Sequence, residues 1–155
     1  YLIIEKDILG TGGGIMNAVD YLRNEDAFLV VNVDVFTDLD FTDMLSEFKK
    51  NNPFAILAVQ KRKTSRYLEF DDDFVISGRI KSEEMKENFY AFNGVHIISN
   101  KIFQYDYKSD YKDIIDIYLE MREENYRIEG YDAGKSYFID LGKIENIKKA
   151  DFLCD

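Results

Sequence analysis

The 155-residue sequence has a single cysteine, a single proline, a single histidine and no tryptophan. Cys154 alone excludes a disulfide within the chain, so a reducing compartment, by default the cytoplasm, is the expected location. No apolar run approaches the roughly 18 residues that a membrane helix needs. The first residues, from Tyr1 to Glu5, lack the basic start and the long apolar stretch of a signal peptide. We therefore expect neither a membrane-spanning nor a secretory segment.

Basic residues are also scarce, because 20 lysines and arginines stand against 30 aspartates and glutamates and give a net charge of −10. A nucleic-acid-binding domain is normally basic, so nucleic acid is not an expected partner. Contact with an anionic membrane surface is disfavoured for the same reason. Small anionic substrates remain compatible with this charge, provided that a metal ion or a helix N-terminus neutralises them locally.

The sequence does have enough apolar residues, including 12 Phe and 11 Tyr, to build a folded core. Apolar runs alternate with apolar residues at helical spacing, and the nearly continuous run at 27–33 is typical of a strand covered on both faces of a parallel sheet. Strands are predicted at 2–4, 27–33, 54–59, 126–128 and 137–139, a hairpin at 67–76, a strand-rich stretch at 88–98, and helices around 15–22, 41–48, 113–124 and 144–150. This order predicts a single α/β domain over 1–155 with a largely parallel sheet and a β-rich insertion.

Two aspartates follow predicted strands at the positions where α/β sheets bind ligands. Asp34 comes after the run at 27–33, and Asp140 comes after the strand at 137–139. Ligands of open parallel sheets bind beyond the carboxyl ends of the strands. Two carboxylates arriving from different strands are suited to one Mg²⁺ ion, which takes one or two carboxylates together with water and phosphate oxygens. The alternative for each aspartate alone is a helix cap or a turn residue.

Two further segments are open to more than one interpretation. The glycine cluster from Gly10 to Gly14 precedes a predicted helix, so its backbone N–H groups could contact a nucleotide, or it could be a flexible turn. It fits neither the Walker A loop nor the GxGxxG fingerprint. Lys61, Arg62 and Lys63, with Arg66, form the only basic cluster, which could meet a phosphate or lie in a solvated loop.

The remaining conspicuous residues favour structural roles. His96 lies inside an apolar strand, where a core histidine is expected in preference to a catalytic base. The acidic stretches at 38–40 and 71–73 lack the spacing, the central Gly and the closing Glu of a calcium loop, so solvated turns are expected there.

Four segments, taken together and in this order, resemble the sugar-1-phosphate nucleotidyltransferase family. Each is weak alone, but they span nearly the whole chain, and the similarity is strongest to the mannose-1-phosphate guanylyltransferase-like and N-acetylmuramate-1-phosphate uridylyltransferase-like branch. The segments are LGTGGGI at 9–15, FLVVNVDV at 28–35, FNGV at 92–95 and YFIDLG at 137–142.

The resemblance implies a Rossmann-like nucleotidyltransferase fold with a mainly parallel mixed sheet and a β-rich insertion. It implies transfer of a nucleoside monophosphate from a nucleoside triphosphate to a sugar 1-phosphate, with release of pyrophosphate and dependence on Mg²⁺. By position, Asp34 and Asp140 match the catalytic metal-binding aspartates. The segment that contacts the nucleotide is matched by Thr11, Gly12 and Gly13, the strand that contacts the sugar by Asn93 and Gly94, and the sugar-phosphate cation, loosely, by Arg66 or Lys81.

The sequence departs from the family pattern in two respects. Val33 stands where the family has Gly before the metal-binding aspartate, and its side chain could narrow the site or be tolerated. Nothing matches the opening strand and the GxGTR-type loop that bind the triphosphate. We therefore expect an N-terminally truncated domain that is inactive alone and self-associates through an exposed sheet edge.

Two alternatives to an enzyme of this family stay open. One is a non-catalytic nucleotide- or sugar-phosphate-binding module of the same fold. The other, which ignores the resemblance, is a general Mg²⁺-dependent phosphotransfer domain without selectivity for sugar phosphates.

Overall fold

The computed structural model describes residues 1–81, 85–105, 111–134, 136–142 and 146. Within these residues a mixed sheet is flanked by helices, and a two-stranded sheet lies beside it. The strands are β1 (Ala27–Val31), β2 (Val35–Thr37), β3 (Ala55–Gln60), β4 (Arg66–Phe70), β5 (Ile76–Lys81), β6 (Phe89–Ser99), β7 (Ile128–Asp132) and β8 (Phe138–Asp140), and the helices are α1 (Gly10–Asn17), α2 (Val19–Leu22), α3 (Phe41–Asn51) and α4 (Ile114–Glu123), with a 3-10 turn at Asn100–Gln104.

The long strand β6 organises the larger sheet. One of its edges pairs with β3, and the other is shared by β4 near its start and β1 near its end. Beyond these neighbours, β5 pairs with β4 and β7 pairs with β3, which gives the path β5-β4-β6-β3-β7 with β1 as a side branch. Every residue of β3 is buried, because apolar clusters cover both of its faces. Helices α1 and α4 contribute to one cluster and α3 to the other.

The α/β class and the mixed sheet are confirmed, but the sheet is less parallel than the sequence predicts. Among the strand pairs of the described residues, β3 with β7 is the parallel one, and the rest are antiparallel. The prediction of a strand at 2–4 is wrong: these residues have no regular structure, and Leu2 and Ile4 are exposed. Apolar residues form a strand only where a partner strand accepts their backbone hydrogen bonds, and the described residues offer them none.

The run at 27–33 is a strand over Ala27–Val31, but it is not covered on both faces. Leu29 and Val31 are 42% and 41% exposed, and within the described residues β1 pairs with β6 alone.

The hairpin is confirmed as β4 with β5. The helix expected at 144–150 and Cys154 fall largely or wholly outside the described residues. None of the helices in the described part is long and apolar enough to cross a membrane.

Acidic side chains in the predicted turns hold the backbone in place. Asp40 caps α3 by accepting hydrogen bonds from the backbone N–H groups of Thr42 and Asp43, at 2.8 and 3.1 Å. Asp71 likewise accepts from the N–H groups of Asp73 and Val75 within the β4–β5 turn. These carboxylates therefore act on the local backbone, as the turn interpretation expects.

Candidate functional site

The two-stranded sheet brings Asp34 and Asp140 together. Strands β2 and β8 are antiparallel with Val35 opposite Asp140, and the N–H of Leu141 donates to the backbone carbonyl of Asp34 at 2.8 Å. A Cβ added at Gly142 would lie 3.0 Å from Asp140 Oδ1 and 3.2 Å from Asp34 Oδ2. The two carboxylates therefore face the same small space, which is open because residue 142 is glycine.

Strand β6 supplies the opposite side through Asn93 and Gly94. The N–H of Asn32 donates to the carbonyl of Gly94 at 2.9 Å, which docks the turn that carries Asp34 onto β6. Gly94 has a φ of +70°, and a Cβ there would lie 2.8 Å from Asn32 Nδ2. Glycine is required at this position both for the left-handed backbone and for the close approach of Asn32.

Arg62 lies between β6 and β8. Its Nη2 donates to the carbonyl of Phe92 at 2.8 Å and its Nε to Asn93 Oδ1 at 3.3 Å. Its guanidinium also stacks over the ring of Phe138, at 4.2 Å from the ring centre. Burial lowers the pKa of this guanidinium below its ordinary value, while the negative charge of Asp140 opposes that shift.

These groups line one cleft of about 580 Å³. Five of the residues predicted from the sequence converge here, namely Asp34, Asp140, Asn93, Gly94 and Arg66. The cleft also contains Arg62 and Lys63, so with Arg66 three cations share its lining with the two aspartates. Such a mixture of charges can hold a phosphate ester and a divalent cation side by side.

The other predicted site residues lie elsewhere. Thr11, Gly12 and Gly13 belong to α1, which packs against α4, and they do not line the cleft. Lys81 pairs with Arg66 in the β4–β5 register, but its exposed side chain does not line the cleft either. Their binding roles stay predictions, and for Gly12 the structure supplies a packing role as well.

Gly12 allows close approach of α1 to α4. Its N–H donates to the carbonyl of Lys112 at 3.1 Å, and an added Cβ would lie 2.7 Å from Ile117 Cδ1 and 3.0 Å from that carbonyl. Ile117 is fully buried, so its side chain has no free space to move into.

We expect Gly12→Ala to lower the free energy of unfolding by roughly 1–2 kcal/mol because it overpacks this contact. Gly14→Ala is the matched control, since its Cβ would meet only the end of the exposed Glu5 side chain. That variant should gain roughly 0.5–1 kcal/mol from helix propensity. Urea unfolding of both variants measures the difference, and an equal effect of the two substitutions would contradict the packing role.

Sequence reasoning did not single out Arg62 or Asn32. The basic cluster at 61–66 was visible, but the sequence did not show which cation reaches β6. The sequence also left open whether the side chain of Val33 narrows the site. It is fully exposed at 102% and lies outside the cleft lining, so it does not obstruct the space between the aspartates.

His96 is a core residue, as its position in an apolar strand predicted. It is fully buried, and a hydrogen bond of 2.5 Å joins its Nδ1 to the hydroxyl of Tyr118. Burial lowers the pKa of His96 to about 3, so the imidazole is neutral at physiological pH. Its Nε2 has no partner in the part of the chain that the structure describes.

The sequence matches the profile of the nucleotidyl transferase family over residues 2–153. It is 32% identical over 149 residues to D-glycero-alpha-D-manno-heptose 1-phosphate guanylyltransferase of Campylobacter jejuni, covering 92% of this chain and 62% of that protein. The chain thus spans about three-fifths of the curated relative that it matches.

Two solved structures are also similar to this chain. HddC from Yersinia pseudotuberculosis, complexed with GMP-PN, superposes with a TM-score of 0.76 at 25% identity, over 99% of this chain and 66% of HddC. A putative glucose-1-phosphate thymidylyltransferase from Bacillus anthracis, complexed with a sucrose, has a TM-score of 0.79 at 15% identity, over 96% of this chain and 62% of that one, which shows a shared fold.

Proposed function

The chain belongs to the nucleotidyl transferase family, and we propose that the native-length protein joins a nucleoside monophosphate, taken from a nucleoside triphosphate, to a sugar 1-phosphate. Pyrophosphate is the leaving group. The observation that carries this proposal is the cleft in which Asp34 and Asp140 face one space, with Arg62, Lys63 and Arg66 in the same lining. The cytoplasm, where a single cysteine stays reduced, is the proposed location.

Guanine nucleotide and a heptose or related sugar are the proposed substrates. The curated relative at 32% identity is named a heptose 1-phosphate guanylyltransferase, and HddC was solved with GMP-PN. The similarity covers 92% of this chain for the curated relative and 99% for HddC. Thr11, Gly12 and Gly13 are proposed to contact the nucleotide in the native-length protein.

Mg²⁺ is the proposed cofactor, and the cleft fits it. The space beside Gly142 is bounded by one oxygen of Asp34 and one of Asp140. Mg²⁺ takes only one or two carboxylates and completes its shell with water and phosphate oxygens, so two aspartates are enough to hold it. When bound, the ion would neutralise charge on the phosphates.

The side chains of the cleft position substrates and need not react with them. Phosphoryl transfer of this kind depends mainly on placement and charge neutralisation. The cations Arg62, Lys63 and Arg66 attract the phosphates. Lys81, which lies outside the cleft lining, is proposed as a further phosphate-binding cation. Asn93 and Gly94 contact the sugar. The attacking group is an oxygen of the sugar phosphate, so no protein nucleophile is required, and the buried His96 is not available as a base.

The test is product formation by the native-length protein. GTP, ATP, UTP and dTTP are each supplied with a heptose, mannose or glucose 1-phosphate and Mg²⁺, and the nucleotide sugar and pyrophosphate are measured. We expect GTP with a heptose or mannose 1-phosphate to give the fastest turnover. Binding without turnover would support the non-catalytic module, and turnover without sugar-phosphate selectivity would support the general phosphotransfer domain. The 155-residue chain assayed beside it is expected to be inactive.

We also propose that the 155-residue chain self-associates through the edge of β1. Within the described residues this edge is unpaired, and Leu29 and Val31 expose apolar surface on one face of the same strand. Such an edge is a template for pairing with a second chain.

Leu29→Lys is therefore expected to shift the chain toward monomer, because a charged side chain opposes burial of the edge. Val33→Lys is the control, since Val33 is exposed but lies beyond β1. The mass from light scattering is measured across a range of concentrations. A wild-type chain that stays monomeric throughout would contradict the proposal.

A further inference from the structure

Arg62 is a partly desolvated cation in the lining of the cleft. Its exposure is intermediate, and burial is the largest influence on its pKa. Among the described residues no carboxylate forms an ion pair with it, although Asp140 is near enough to raise the pKa of the guanidinium. Withdrawing a charge from water without a partner is unfavourable. The cleft therefore holds a cation that an incoming anion would stabilise.

The hydrogen bonds of Arg62 hold the guanidinium in one orientation. The edge formed by Nε and Nη2 is occupied, since these atoms donate to Asn93 Oδ1 and to the carbonyl of Phe92. The ring of Phe138 covers one face of the guanidinium. A guanidinium has five N–H groups, so three remain that no described group accepts, and two of these lie parallel on the edge between Nη1 and Nη2.

Asn93, which accepts one of these two hydrogen bonds, is itself fixed. Its side chain is buried, with 3% exposure, and it lies in β6 next to Gly94, whose carbonyl holds the turn that carries Asp34. Arg62 is thus anchored to the same strand that positions the acidic half of the cleft. This anchoring removes much of the side-chain entropy that a surface arginine loses on binding a ligand.

From this geometry we propose that Arg62 binds the phosphate of the sugar 1-phosphate through the guanidinium edge between Nη1 and Nη2. Two parallel N–H groups match two phosphate oxygens, as in bidentate arginine–phosphate pairs. Because Asn93 is attached to the other edge, Arg62 also aligns the sugar with its phosphate. The inference rests on the proposed function. It adds that Arg62 is the residue through which the enzyme requires a phosphate on the acceptor sugar.

The kinetic test uses the native-length protein and measures KM for each substrate separately. Arg62→Met is expected to raise the KM for the sugar 1-phosphate by roughly 100-fold and Arg62→Lys by roughly 10-fold, because a charge-assisted hydrogen bond contributes on the order of a factor of 10 to 100. The KM for the nucleoside triphosphate should change by less than roughly threefold. Arg23→Lys is the control, since Arg23 lies on the exposed surface away from the cleft.

A purely structural role of Arg62 predicts a different pattern. It would lower the melting temperature and raise both KM values together, and Arg62→Lys would behave like Arg62→Met. That result would overturn the proposal, as would an unchanged KM for the sugar 1-phosphate.

A second measurement separates this inference from the proposed function. Binding of a sugar 1-phosphate and of inorganic phosphate to the native-length protein is followed by calorimetry without a nucleotide. If the wild type binds the sugar 1-phosphate and Arg62→Met does not, the assignment of Arg62 holds even where no turnover occurs. Equal binding by both proteins would overturn it even where the protein proves to be an active transferase.

Discussion

Replacing Asp34 or Asp140 by asparagine is expected to lower the turnover of the native-length protein by about three orders of magnitude. Removing a ligand of a catalytic metal ion forfeits several kcal/mol of charge stabilisation, and each 1.4 kcal/mol is about a factor of ten in rate. Asparagine keeps the shape of the side chain and an acceptor oxygen. The acceptor is needed at Asp140, whose Oδ1 receives the N–H of Gly142 at 3.0 Å.

The matched control for these variants is Asp72→Asn. Asp72 is exposed in the β4–β5 turn and lies outside the cleft, so the same loss of charge should leave turnover unchanged. The Mg²⁺ concentration that gives half-maximal rate should rise in Asp34→Asn and Asp140→Asn but not in Asp72→Asn. Full activity in either cleft variant at low Mg²⁺ would contradict the assignment of the two aspartates as metal ligands.

Acid should destabilise the fold through His96. Burial lowers the pKa of His96 to about 3 in the folded protein, against 6.5 for an ordinary histidine. The unfolded chain therefore binds a proton between these values while the folded protein does not, and stability falls as the pH drops below 6.5. At pH 5 the loss from this residue is about 2 kcal/mol relative to pH 7 and above.

The double variant His96→Leu/Tyr118→Phe isolates this contribution. It removes the titrating group and the hydroxyl bonded to it, so its unfolding free energy should fall by about 2 kcal/mol less than that of the wild type between pH 7 and pH 5. Tyr118→Phe alone keeps the buried imidazole and should keep the pH dependence. Equal slopes for the wild type and the double variant, measured by urea unfolding, would refute the account of His96.

The local pattern of apolar residues predicted most of the helices and strands. The spacing of Phe41, Met44 and Phe48 predicted α3, and the apolar run at 54–59 predicted the buried strand β3. It failed at residues 2–4, because a short apolar run becomes a strand only beside a partner strand. The proportion of parallel pairs was overestimated for a similar reason. Apolar content reports burial, but the direction of β6 relative to its neighbours depends on long-range connections.

The sequence predicted the acidic residues of the cleft better than its basic residues. Asp34 and Asp140 were visible because each follows a strand, and the structure places both beside Gly142. Arg62 was hidden among neighbouring basic residues, since its distinguishing partners, Phe92 and Asn93, lie about thirty positions away in β6. The sequence shows the type of a side chain, but the pairing of distant strands decides which one enters the site.

The most direct test of the account is to map where a sugar 1-phosphate binds. Amide chemical shifts of the isotope-labelled native-length protein are recorded with Mg²⁺ while a heptose or mannose 1-phosphate is added. We expect the largest changes at 32–35, 62–66, 92–94 and 140–142, with little change at 69–77 in the β4–β5 hairpin. Changes confined to other surfaces, or none at millimolar ligand, would contradict the assignment of this cleft as the site of nucleotidyl transfer.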